Sequence, residues 1–248
     1  AIEMNIVKLP LKGIVKGASG HTVFQTIQLL IPEVVSMLSA NDFKKLIQHW
    51  AEVMVANRDY LIELDSHVGD SDLGLTMGDG FTAASRAIAD SDETDIGKLA
   101  YTAGKAMSTA VPSTMGTLMA SGLMSVGKAL RGKTELDSQG VADLFQAFFD
   151  GVQNRGKAQV GDKTFLDGLY GAVESLKADA AAGVSMIEAA KKAAEAAHRG
   201  FLGTKGMIAQ FGRAAGRGEQ SRDLLDPGAA VADLLMKGYA EFMSGKAE

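Results

Sequence analysis

NDFKKLIQHWAEVMVANRDYLIELDSHVGDSDLG, residues 41 to 74, runs as a helix and then breaks into a turn crowded with charge. Phe43, Leu46, Ile47, Trp50, Val53 and Met54 fall on one stripe at helical spacing, and Leu61 and Leu64 extend it, which predicts a helix over 41–64. Asn41 stands where an N-cap is expected. Asp65 closes the helix, and Asp70 and Asp72 follow on either side of Ser71.

The same period recurs in seven further segments, roughly 73–89, 94–110, 114–131, 137–155, 163–179, 184–200 and 227–245. Thr94, Thr114 and Ser185 sit near their starts, and Gly132, Gly156 and Gly183 near their ends. No stretch reads as a core strand. Eight helices joined mostly by short loops predict an all-α fold, an antiparallel up-and-down barrel or bundle over residues 41–248. Residues 1–40 form a separate N-terminal extension. There NIVKLPLKGIV alternates loosely, carries Pro10 and Gly13, and reads as extended chain or an arm with no assignable chemistry. One connection departs from the short-loop pattern. Residues 201–226 are rich in glycine and carry Arg213, Arg217 and Arg222; structureless loops beyond about 12–15 residues are uncommon and are often lids or binding loops.

Composition narrows the function. Hydrophobic residues make up 46% of the 248, enough for a substantial core, and the formal charge of -5 argues against a general electrostatic grip on nucleic acid. The absence of cysteine excludes disulfides and thiolate metal sites. The most apolar early stretch, IQLLIPEVVSML, is broken by Pro32 and Glu33 and is too short to span a bilayer. No signal-peptide pattern is present, so the expectation is a soluble cytoplasmic protein without membrane attachment. The twelve methionines are expected to fill a core between Ala-rich helices.

Two accounts compete for the three aspartates. Asp72, just before the helix at Leu73, suits helix capping. Asp65 does not, because a carboxylate in the last turn of a helix faces the negative end of its dipole. Three converging carboxylates also repel one another unless a cation joins them, and Mg²⁺ prefers carboxylate and water oxygens. An EF-hand fails, since counting Asp70 as position 1 puts glycine at position 5 and Phe81 at position 12. No P-loop is present, because GKAMST has Ala after Lys105 and GDKT lacks the upstream glycine spacing. The helix starts at LGLT and STMG offer backbone N–H groups for phosphate instead. Asp162 and Asp167 would position the GDKT turn or cap the following helix, with capping the expected role of Asp162.

LDSHVGDSDLG resembles the LDxxIGDxDHG signature of the nucleotide-binding L subunit of dihydroxyacetone kinase, which in single-chain kinases is the C-terminal domain. RGKAQVGDKTFLDGL resembles that family's RGKAxPGDKTMxD block, GRAAGRGEQS its GRASYLGERS, and DPGA its DPGA, in the same order. AVPSTMGTLMA falls where the family has VGGASGPLYG. The resemblance implies an eight-helix up-and-down barrel holding ADP or ATP at one end. Two Mg²⁺ ions would join the phosphates to Asp65, Asp70 and Asp72. Leu73, Gly74, Leu75 and Thr76 would line the phosphates, as would Thr114, Met115 and Gly116 from a second helix start. Gly156 and Phe165 would flank the adenosine, Arg213 would meet the phosphates from the long loop, and Asp226, Pro227 and Gly228 would close the site. Asp65, Asp70, Asp72 and Arg213 would carry the chemistry. The chain departs from the pattern at Leu73, where the family has histidine, and at Pro112, Ser113 and Met115, where it has a glycine pair and a serine.

What the resemblance implies is a Mg²⁺-dependent phosphotransferase subunit. A separate K-type subunit would hold dihydroxyacetone or a related short keto-sugar, and this subunit would deliver the phosphoryl group. Either ATP binds, reacts and leaves, or ADP stays bound and a phosphotransfer protein rephosphorylates it. The rival from another class is a non-catalytic nucleotide-sensing module that reports to a regulatory or kinase partner. A purely structural helical protein ranks last, since it leaves Asp65 and the long loop unexplained.

Overall fold

Ser39, not Asn41, begins the first helix: its hydroxyl accepts the Asp42 N–H while the Asp42 carboxylate takes the Ser39 N–H, a reciprocal capping box. In this computed structural model the described residues are 6–16, 22–32 and 37–246, and the chain divides into two compact units, Ala1–Ser36 and Met37–Glu248.

The first unit holds β1 (Ile6–Lys16) and β2 (Thr22–Pro32), paired antiparallel with Ile6 opposite Pro32 and Lys16 opposite Thr22. This hairpin was not legible in the sequence as a pair of strands. In TVFQTIQLLIP both alternate sets of positions contain apolar residues, so the period of two that marks a half-buried strand is hidden.

The second unit is all-α apart from one two-residue pairing. Its elements are β3 (Leu38–Ser39), α1 (Ala40–Ala56), α2 (Arg58–Ser66), α3 (Leu73–Ile88), α4 (Ile96–Ala110) and α5 (Thr114–Ala129). After these come β4 (Glu135–Leu136), α6 (Ser138–Gly156), α7 (Phe165–Ala181), α8 (Met186–Gly203), a 3₁₀ helix over Arg213–Asp223 kinked at Gly218, which gives the expected long loop structure of its own, and α9 (Pro227–Gly245). The helix expected over 41–64 is interrupted at Asn57, whose side-chain amide donates to the Val53 carbonyl and competes with the helical backbone bonds there. Two other caps lie one residue from the expected threonines: Asp95 accepts from Lys98 N–H, and Ser113 from Gly116 N–H. Asp162 caps no helix; its carboxylate accepts the Gln159 N–H inside the loop, and Thr164 caps α7 in a capping box with Asp167.

Helices adjacent in the order α1, α3, α4, α5, α6, α7, α8, α9 pack on one another, and α9 packs back on α1 to close the ring. Trp50 seals that closure. Its indole N–H donates to the Leu235 carbonyl at 2.8 Å, and its ring meets Phe81 and Phe145 edge-on at 6.2 and 6.1 Å. Met54, Met77, Met107, Met119, Met236 and Met243 fill the core around it, as expected of methionine between Ala-rich helices. The pairing of β3 with β4 sets the start of α1 beside the start of α6, and Ile96 N–H donates to the Lys133 carbonyl, so α4 starts at that end too. Antiparallel succession therefore sends the N-termini of α3, α5, α7 and α9 to the opposite end. No described helix is long and apolar enough to cross a membrane.

Candidate functional site

An open cavity of about 1110 Å³ occupies that opposite end, and the first residues of α3, α5, α7 and α9 line it: Leu73, Thr114, Phe165 and Pro227. Four positive helix ends thus face one space, an arrangement suited to polyanions. The volume lies just above the range usual for small-molecule sites, about 300–1,000 Å³.

The aspartate turn forms one wall. Asp65 lies in the last turn of α2, and its Oδ2 accepts the Asp72 N–H at 3.1 Å and, more loosely, the Leu73 N–H at 3.4 Å. Capping by Asp72 is therefore corrected: it stands at the N-cap position of α3 but its side chain makes no cap bond, and Asp65 instead takes the N–H groups of Asp72 and Leu73. Gly69 is what lets it reach, since a Cβ there would lie 2.0 Å from Asp65 Oδ1. Ser71 adopts φ 64°, folding Asp70 and Asp72 toward the same side. One carboxylate oxygen from each of Asp65, Asp70 and Asp72 lies within 4.8 Å of the others. Burial, and then the charges of Asp70 and Asp65, hold the Asp72 carboxyl above its usual range. Three crowded carboxylates, partly exposed and next to helix N-termini, fit a hard divalent cation that would relieve their repulsion.

Arg213 meets this wall from the long loop. Its guanidinium pairs with Asp70 at 2.5 Å, and neighbouring Phe211, Gly212 and Ala214 also line the cavity. Val68, Ala209 and Ala214 form a small apolar cluster of their own, with Leu224 against it, which seats the loop on the aspartate turn. On the far wall Gly156, Ala158 and Phe165 supply apolar surface, and Phe165 packs on Phe148 at 6.0 Å. Asp226 caps α9 through the Ala229 N–H at 2.7 Å, and burial pushes its carboxyl up to about 7.

Twelve of the expected site residues therefore share one cavity lining: Asp65, Asp70, Asp72, Leu73, Thr114, Met115, Gly156, Phe165, Arg213, Asp226, Pro227 and Gly228. Four do not line it. Gly74 takes the close approach of the Arg58 carbonyl, where a Cβ would sit at 2.1 Å; Thr76 is buried in α3; Leu75 is on its exposed side; Gly116 abuts the Val111 carbonyl. Sequence reasoning missed Lys163 and Phe211, both lining residues. Lys163 sits inside the quoted GDKT block, and Phe211 is an aromatic in an otherwise polar, glycine-rich loop.

Among the described residues, Ser71, Lys157 and Lys163 are the non-glycine positions with positive φ, and all lie on or beside this lining. Such backbone costs on the order of 1–3 kcal/mol each and gathers at functional sites.

The DAK2 domain family matches residues 67–241. The chain is 32% identical over 201 residues to the PEP-dependent dihydroxyacetone kinase 2, ADP-binding subunit DhaL, of Listeria innocua, covering 80% of this chain and 93% of that one. It is 31% identical over 229 residues to the L-erythrulose 1-kinase of Mycolicibacterium smegmatis, covering 90% of this chain but only 39% of that longer one. The crystal structure of the dihydroxyacetone kinase from C. freundii in complex with AMP-PNP and Mg²⁺ shares the fold, with a TM-score of 0.62 at 20% identity over 90% of this chain and 39% of that one.

Proposed function

The chain belongs to the DAK2 domain family, and on that premise we propose that it is the Mg²⁺-dependent, adenine-nucleotide-binding subunit of a kinase for dihydroxyacetone or a related short keto-sugar. The observation that carries the reading is the convergence of Asp65, Asp70 and Asp72 beside the helix starts of one cavity.

In this reading Asp65, Asp70 and Asp72 hold two Mg²⁺ ions as ligands and not as bases. The ions, when bound, offset the charge of the nucleotide's terminal phosphates. The backbone at the starts of α3 and α5 takes the phosphate oxygens: Ser113 Oγ occupies the Gly116 N–H, leaving the first-turn N–H groups of Thr114 and Met115 facing the ligand. Phe165, Gly156 and Ala158 give the adenosine an apolar wall. Arg213, paired with Asp70 at the cavity wall, would direct its guanidinium to the charge that develops on the transferred phosphoryl group. A hydroxyl of the sugar, held by a K-type partner subunit, attacks in line. Little covalent chemistry is asked of the chain, so positioning and charge neutralisation supply the rate. Nucleotide that survives gel filtration would mark it as a resident ADP, rephosphorylated by a phosphotransfer protein; release would mark ATP as a substrate.

The decisive experiment titrates the nucleotide-free chain with ADP, Mg²⁺ and both. At about 100 times Kd the pair together should stabilise by about 2.7 kcal/mol, a Tm rise on the order of 5–10 °C. No shift under any condition sinks the reading. Phosphoryl transfer to the keto-sugar should then require the K-type partner, and intact nucleotide binding without transfer would turn the assignment to a nucleotide sensor.

A further inference from the structure

One buried charge has no part in this chemistry. Lys163 lies in the turn between α6 and α7, is 1% exposed, and adopts φ 61°, a left-handed backbone that favours glycine or asparagine over a long side chain. The side chain compensates. Its ammonium donates to three backbone carbonyls of the long loop: Ser221 at 2.5 Å, Leu224 at 2.6 Å and Met207 at 3.2 Å. All three N–H donors of the ammonium are used.

These acceptors lie on both limbs of the loop. Met207 is on the limb leaving α8, and Ser221 and Leu224 are on the limb entering α9, so a single atom ties the limbs together at the loop's base. Ser221 adds a cross-tie, accepting the Ala209 N–H at 3.0 Å. Gln210 N–H donates to the Asp162 carbonyl, which fastens the loop to the turn that carries Lys163. Beyond this base the tip is exposed and carries Phe211, Gly212 and Arg213 across to the aspartate wall. Burial lowers the lysine's pKa, and the nearby Asp226 carboxylate opposes that shift.

We propose that Lys163 is a positioning residue: it clamps the base of the 204–226 loop so that Arg213 is presented to the nucleotide phosphates. The proposal rests on the phosphoryl-transfer role given above to Arg213. Gly206 and Arg222 also bond limb to limb, but nothing else in the described structure bonds both limbs to the α6–α7 turn through one side chain, so loss of the ammonium loosens the loop against that turn while the helical ring stays closed.

Lys163→Met, Arg213→Ala and the double variant test this, with the full chain and its K-type partner. Displacement of a reacting group by about 1 Å costs about 100-fold in rate. Lys163→Met should therefore lower kcat about 100-fold and leave the Kd for Mg–ADP within about threefold. In the Arg213→Ala background it should cost nothing further, because the clamp acts through that arginine. Multiplying losses, to about 10⁴-fold in the double variant, would overturn the proposal. A second arm needs no turnover. Amide hydrogen exchange over residues 204–224 should quicken at least about tenfold in Lys163→Met and stay unchanged in α1 and α5; an unchanged loop would overturn the clamp. Lys163→Gln, which keeps two N–H donors, should fall between the two in exchange, and it carries the test if the Met variant does not fold. A wild-type chain that transfers nothing at all would overturn the assigned function, while the exchange arm still decides on Lys163.

Discussion

Asp65 owes its place to the residue four positions later. With glycine at 69 the carboxylate lies beneath the turn, against the Asp72 and Leu73 N–H groups; a Cβ at 69 would occupy its Oδ1. Gly69→Ala is expected to push that carboxylate aside and weaken Mg²⁺-dependent ADP binding by at least about tenfold, about 1.4 kcal/mol. The metal-free Tm should move little, because the turn is on the surface. Calorimetric titration of both proteins checks this, and unchanged affinity would show that Asp65 holds no metal. Asp70→Asn makes the sharper case. It keeps shape and removes charge, so activity should vanish while the fold persists; an active Asp70→Asn protein would end the mechanism. The charge cluster itself was legible in LDSHVGDSDLG. The identity of the N–H acceptor was not, because Asp65 and Leu73 meet only through the fold of the turn between them.

At the scale of an element, α9 begins on a carboxyl with a cost attached. Asp226 is buried, caps the helix, and has its pKa raised from 3.8 to about 7. Below 3.8 the group is protonated in both the folded and unfolded chain and contributes no pH dependence. Between 3.8 and about 7 the folded chain keeps a proton that the unfolded chain has lost, so stability falls as pH rises through this window and levels off above it. The slope is of order 1 kcal/mol per pH unit. Asp226→Asn keeps a good N-cap and removes the titration. Urea unfolding across this range should show a flatter pH profile for the variant. An equal slope in both proteins would place the titrating group elsewhere.

At the scale of the helical ring, closure falls where α1 meets α9, and Trp50 is the buried side chain that hydrogen-bonds across that seam, with the Lys246–Asp42 ion pair nearer solvent. Trp50→Phe retains an aromatic core contact but strips the Leu235 carbonyl of its indole partner in a buried place. The expected loss is about 1–3 kcal/mol, read as a lower urea midpoint. Because ring closure also fixes which helix ends share the cavity, ADP affinity at saturating Mg²⁺ should weaken with it; a variant equally stable would show that the indole bond adds nothing to the seam.

Local regularities carry a local message, and those were open to reading: the stripe from Phe43 to Met54, the cap at Ser185, the glycines at 132, 156 and 183, the aspartate turn and the ordered motif blocks. Each depends on residues a few positions apart, where periodicity, capping and composition act directly. The break at Asn57, the pairing of β1 with β2 and the reach of Lys163 to carbonyls 44 to 61 residues away were not open to it. The shared cavity was legible only through the resemblance, which placed Leu73, Thr114, Phe165 and Pro227 at one site; no local pattern near Leu73 specifies it. Sequence by itself determined an antiparallel helical chain with three crowded carboxylates. Tertiary structure alone decided that four alternate helix starts face those carboxylates: antiparallel succession puts every second N-terminus at the same end, but only closing the ring gathers those ends around one cavity.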